Sequence, residues 1–103
     1  MVNKISGNVL PEEVENGVAV IDFSATWCSP CRMLAPVLDE ISEDMAGKMK
    51  FYNADVDENP YLAQKYGITS IPALVIIKDG EQKDIQVGFQ PKANLVNIFE
   101  KYV

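Results

Sequence analysis

Two unbroken apolar runs, Val18-Ala19-Val20-Ile21 and Ala73-Leu74-Val75-Ile76-Ile77, constrain the fold of this chain more than any other feature. A strand wetted on one face alternates apolar and polar residues, so a run with no polar interruption needs cover on both faces. The first run continues through Asp22-Phe23-Ser24. After it Met33, Leu34, Val37, Leu38, Ile41 and Met45 recur at helical spacing, which predicts an amphipathic helix kinked at Pro36. A weaker strand over Lys50 to Asp55 leads into Asp55-Val56-Asp57-Glu58-Asn59-Pro60, an acidic turn that opens a short helix through Tyr66, stopped by Gly67. The second apolar run ends in Lys78-Asp79-Gly80-Glu81, a hairpin turn, so Glu81 to Val87 returns as a charged antiparallel edge strand. Pro91 begins a last helix with Leu95, Ile98, Phe99 and Tyr102 on one face. With a first strand near Ile5 and a short helix over Pro11 to Glu15, the order becomes β-α-β-α-β-α-β-β-α. The expectation is an α/β fold, a central mixed sheet of about five strands flanked by about four helices. A chain of 103 residues has room for one compact domain, 1–103.

The chemistry is concentrated in Trp27-Cys28-Ser29-Pro30-Cys31, which holds both cysteines of a chain that has no histidine. Two thiols three residues apart at a helix start can close a small, reducible ring. A sulfur beside the unpaired amides and positive end of a helix ionises more easily than a free thiol, and the thiolate is the reactive form. Redox chemistry is the leading reading. Two others compete with it. A zinc site would need a second pair of ligands from another copy or from carboxylates, and purely structural cysteines would gain little from so small a ring. The absence of His removes a Cys/His nucleophile pair, a haem attachment of the CxxCH kind and any imidazole metal ligand. No metal and no cofactor are expected.

Nine Lys and Arg against fifteen Asp and Glu give a net charge of −6, and no basic run exists to engage phosphates, which disfavours nucleic acid as a partner. The segment from Met1 to Asn8 does not resemble a signal peptide, and no apolar stretch approaches membrane-spanning length. The expectation is a cytoplasmic protein, off the membrane and monomeric, whose dithiol is kept reduced.

At nearly full length the chain resembles the thioredoxin family. The residues that carry the likeness are Asp22-Phe23-Ser24-Ala25-Thr26-Trp27-Cys28-Ser29-Pro30-Cys31, Ala35-Pro36, Asp57-Glu58-Asn59-Pro60, Lys65-Tyr66-Gly67-Ile68, Ile71-Pro72, Lys78-Asp79-Gly80 and Val87-Gly88-Phe89. The resemblance implies a protein-disulfide reductase acting on disulfide-containing client proteins and recycled by a thioredoxin reductase. A redox-inert binding module built on the same groove is the competing class, and an oxidase or isomerase is the alternative within the enzyme class.

Cys28, just outside the helix, is expected to be the exposed nucleophile, and Cys31, one turn in, to be recessed and to resolve the mixed disulfide, the roles the family also assigns. Pro30 suits the first helical turn and stiffens the ring. Asp22, a carboxylate ending an apolar strand, is either exposed and capping that strand or buried with a raised pKa. The resemblance implies the latter, with Asp22 taking the proton of Cys31. Pro72 reads as a loop-to-strand junction from its position alone. The resemblance implies instead a cis-proline facing the cysteines, with Trp27, Ser29, Pro30, Ser70, Ile71, Val87 and Gly88 completing a substrate groove; Trp27 would otherwise be core or rim packing. Three departures from the family pattern stand out: Ser29 for a glycine, Asn53 for a lysine near Asp22, and Ala73 for a threonine.

Overall fold

The computed structural model describes residues 1 to 103. Along the chain run β1 (Val2–Ile5), a 3-10 turn (Glu12–Glu15), β2 (Val18–Ser24), α1 (Ser29–Asp44), β3 (Met49–Asp55), α2 (Pro60–Lys65), β4 (Ala73–Lys78), β5 (Glu81–Val87) and α3 (Lys92–Glu100). The five strands form one sheet in the order β1-β3-β2-β4-β5. β3 is parallel to β1 and β2, while β4 is antiparallel to β2 and β5, which makes the sheet mixed.

The position of β2 at the centre explains its unbroken apolar run. Val18 to Phe23 are all buried, and successive side chains go to opposite faces. Val18 and Val20 join Leu34, Leu38 and Ile41 of α1 and Leu95 and Phe99 of α3. Ala19, Ile21 and Phe23 join Val14 of the 3-10 turn and Leu62 of α2 on the other face. β4 splits the same way, Leu74 and Ile76 to the first core, Ala73, Val75 and Ile77 to the second. Truncating one of these fully buried side chains to alanine costs about 2–5 kcal/mol, a large share of the roughly 5–15 kcal/mol that holds a domain folded. By this alternation Asp22, two residues beyond Val20, lies on the α1 side of the sheet.

One helix differs from expectation. The segment after Pro11 is a 3-10 turn and not an α-helix, so three α-helices flank the sheet where four were expected. Four residues are too few for a ladder of α-helical bonds: Val14 N–H donates to the Pro11 carbonyl three residues back, at 3.2 Å. The hairpin signal at Asp79-Gly80 is realised, with φ of 51° and 82° at the two central residues, the left-handed pair that suits the strand twist. α1 continues through Pro36, whose missing N–H leaves the Arg32 carbonyl without its intrahelical donor.

Candidate active site

Cys28 is the residue that caps α1, with extended backbone angles (φ −96°, ψ 108°), and Cys31 lies in the first helical turn. The two form a disulfide with their Cα atoms 5.3 Å apart. Capping is normally the work of a side-chain oxygen; here the Cys28 sulfur accepts the Cys31 N–H at 3.3 Å. No acidic residue in the first turn opposes the positive end of the helix. In the reduced protein the same donor and the same dipole favour a thiolate on Cys28.

The expected contrast in exposure is absent in the disulfide form. Cys28 is 6% and Cys31 4% exposed, because Ala25, Val56 and Ile71 pack around the ring. What separates the cysteines is position: Cys28 precedes the helix, beneath the exposed Trp27, Ser29 and Pro30, whereas Cys31 lies inside it. Trp27 is 65% exposed, which excludes a core role, and its Nε1 donates to Asp57 Oδ2 at 3.0 Å. Asp57, read from the sequence as part of an acidic turn and of the family likeness but not as a site residue, is thus the residue that orients the indole.

Asp22 is 3% exposed, and burial pushes its pKa up to about 6. A capping Asp at an exposed strand end is therefore not what this residue is. Strand register sets Asn53 of β3 beside it. Asn53 Nδ2 donates at 2.8 Å to Ser24 Oγ and at 3.3 Å to both Oδ2 and the carbonyl of Asp22. The amide hydrogens favour the short contact, so Asn53 opposes the rise only partly and burial wins. Asp22 Oδ1 has no hydrogen-bond partner. An open pocket of about 220 Å³, lined by Asp22, Ser24, Ala25, Cys31, Arg32, Ala35 and Asn53, puts this carboxylate and the second cysteine on one solvent-reachable space.

The Ile71–Pro72 bond is cis. Ile71 packs against the disulfide, Pro72 is buried, and the Pro72 carbonyl accepts the Gly88 N–H at 2.8 Å, which ties the end of β5 to the cis bond. No hydrogen bond within the chain uses the Ile71 N–H or C=O, so both are free for an incoming strand. Val87, paired with Ala73 across the sheet, is 55% exposed, and Gly88 has a φ of 93° that a side chain would strain. Ser70 is exposed one residue before Ile71, and no hydrogen bond ties it to the cysteines. Phe89, 42% exposed at the same edge, adds apolar surface that the strand pattern did not single out. Chemically, the arrangement offers a dithiol-disulfide couple, a nearby proton acceptor and an unpaired backbone segment.

The Thioredoxin family profile matches residues 2–101. A thioredoxin of Staphylococcus epidermidis is 48% identical over 100 residues, covering 97% of this chain and 96% of that protein, and a thioredoxin of Staphylococcus aureus matches to the same extent. Among solved structures, a mutant thioredoxin from Halobacterium salinarum superimposes with a TM-score of 0.87 at 37% identity, covering 97% of this chain and 88% of that one. The Malassezia sympodialis thioredoxin gives the same score at 40% identity, covering 99% and 90%.

Proposed function

This chain belongs to the thioredoxin family and is a protein thiol-disulfide oxidoreductase, and we propose that Cys28 is its attacking thiol, Cys31 its resolving thiol and Asp22 the proton acceptor for Cys31. The observation that carries the proposal is a disulfide at a helix start sharing a pocket with a buried, half-partnered carboxylate. In the reduced protein the Cys28 thiolate attacks one sulfur of a client disulfide and expels the other as a thiolate, which takes up a proton. Cys31 gives its proton to Asp22 through the pocket and attacks the Cys28 sulfur, expelling the client's second sulfur. Two electrons pass to the client, and Cys28–Cys31 is left oxidised.

Trp27, Ser29, Pro30, Ser70, Ile71, Pro72, Val87 and Gly88 form the groove for the client in this reading. An extended client segment pairs with the free backbone of Ile71 while its apolar side chains lie on Trp27 and Val87. The whole of 1–103 acts as one thioredoxin domain, monomeric, in the cytoplasm. Its electrons come from a thioredoxin reductase and its clients are disulfide-containing proteins. No helix is long and apolar enough to cross a membrane, and the net charge of −6 suits neither nucleic acid nor an anionic surface.

Turnover of insulin disulfides with dithiothreitol as reductant tests the proposal. The parent is expected to accelerate insulin reduction, and Cys28→Ser and Cys31→Ser to lose that acceleration. A Cys28→Ser variant with parental turnover would refute the assignment, and an inert parent would favour a redox-silent binding module.

A further inference from the structure

Arg32 is the one basic side chain lining the pocket that Cys31 and Asp22 share. Its guanidinium is tied at two points: Nη1 donates to the Thr26 carbonyl at 2.8 Å, and Nη2 donates to Ser29 Oγ at 3.0 Å. Thr26 and Ser29 bracket Cys28 in the chain, so the cation is strapped across the turn that carries the attacking sulfur. An exposed arginine is ordinarily free to swing on its long stem, and one contact holds it poorly. A planar fork engaged at two acceptors has a single orientation. The second acceptor is the side chain inside the ring itself, where an alanine or glycine would have nothing to offer. The other charged groups around the ring are carboxylates, Asp22 in the pocket and Asp57 at Trp27. They disfavour a thiolate, and Arg32 is the one cation among the residues that line the pocket.

We propose that Ser29 is a positioning residue that pins the Arg32 guanidinium across the redox turn, where the cation stabilises the Cys28 thiolate and so favours the dithiol over the disulfide. The inference rests on the exchange chemistry proposed above and adds what sets its equilibrium. Fixing a positive charge beside a thiolate lowers the free energy of the reduced form and leaves the neutral disulfide unaffected. The couple becomes more oxidising, and a larger fraction of Cys28 is thiolate, the attacking form, at a given pH. Salt weakens the effect, because the guanidinium end of the pair is exposed to solvent.

The test is equilibration with glutathione, in which the Cys28–Cys31 disulfide and two glutathione thiols give the dithiol and one glutathione disulfide. It compares the parent with Ser29→Ala, Ser29→Thr, Arg32→Met and the double variant Ser29→Ala/Arg32→Met. Ser29→Ala and Arg32→Met are each expected to shift the equilibrium roughly three- to tenfold towards the disulfide, which is about 15–30 mV. Their Cys28 thiolate absorbance should titrate at higher pH. Ser29→Thr keeps the hydroxyl and should restore the parent values. The double variant should match Arg32→Met, and the differences should shrink at about 1 M salt. A Ser29→Ala shift that persists undiminished in the Arg32→Met background would show the hydroxyl acting on its own, and no shift, or one insensitive to salt, would equally overturn the proposal. A parent that fails to equilibrate at all would remove the exchange reading along with it, whereas an equilibrating parent with unresponsive variants removes only the strap.

Discussion

Replacing Asp22 by asparagine should stabilise the protein, by an amount that depends on pH in a calculable way. The carboxyl titrates near 3.9 in an unfolded chain and at about 6 in the folded one. Below the lower value the group is neutral in both states and costs nothing. As pH rises from there to the folded pKa, the unfolded chain loses its proton first, so stability falls; above about 6 the penalty is complete. A gap of about two pH units, at 1.36 kcal/mol each, sets that penalty at about 3 kcal/mol. The asparagine would not recover all of it, because an amide N–H at the place of Oδ1 meets no acceptor, a loss of about 1–2 kcal/mol. The net expectation for the oxidised proteins is about 1–2 kcal/mol in favour of the Asp22→Asn variant at about pH 8, vanishing or reversing at about pH 4. Urea unfolding followed by circular dichroism at the two pH values measures it. The pH dependence of the difference carries the test, since the amide cost is the same at both. A stability difference that does not change between the two would place Asp22 outside the buried, desolvated state described here. The same substitution removes the proton acceptor for Cys31 and should slow insulin reduction at neutral pH.

Two further outcomes follow from the same geometry. Brief exposure of the reduced protein to limiting iodoacetamide near neutral pH should label Cys28 well ahead of Cys31, because its sulfur accepts the Cys31 N–H at the open end of α1; peptide mapping that finds mostly Cys31 labelled would reverse the assignment. Asn53→Lys sets a cation beside Asp22 in place of the weak 3.3 Å amide contact and should lower the Asp22 midpoint, read by carboxyl NMR, by about one pH unit or more, whereas an unmoved midpoint would mean that residue 53 does not govern the carboxylate.

Much of this was legible in the sequence for reasons that are local. Val18–Ile21 and Ala73–Ile77 announced doubly covered strands because burial on both faces leaves no polar alternation. Asp79-Gly80 announced its hairpin because few residue pairs accept two positive φ angles. The short helix expected over Pro11 to Glu15 forms as a 3-10 turn over Glu12–Glu15 for a local cause too, since a four-residue span cannot close an α-helical ladder. What stayed hidden depends on register and on side-chain direction. Asn53 meets Asp22 only because β2 and β3 pair in one register. Asp57 holds Trp27 across thirty residues of chain. Arg32 folds back over residues that precede it, and nothing in its spacing shows that Thr26 and Ser29 will be its acceptors. The burial of Cys28 came from Ile71 and Val56, which the chain delivers from two other loops.

The central claim is the division of labour between the two cysteines, and trapping tests it most directly. Reduced Cys31→Ser and Cys28→Ser proteins are each mixed with a disulfide-containing client, quenched in acid and mapped by mass spectrometry. The account predicts a stable mixed disulfide through Cys28 in the Cys31→Ser protein, released by reductant, and almost none in the Cys28→Ser protein. A mixed disulfide that forms equally well through Cys31, or the absence of one in both variants while the parent reduces the same client, would contradict it.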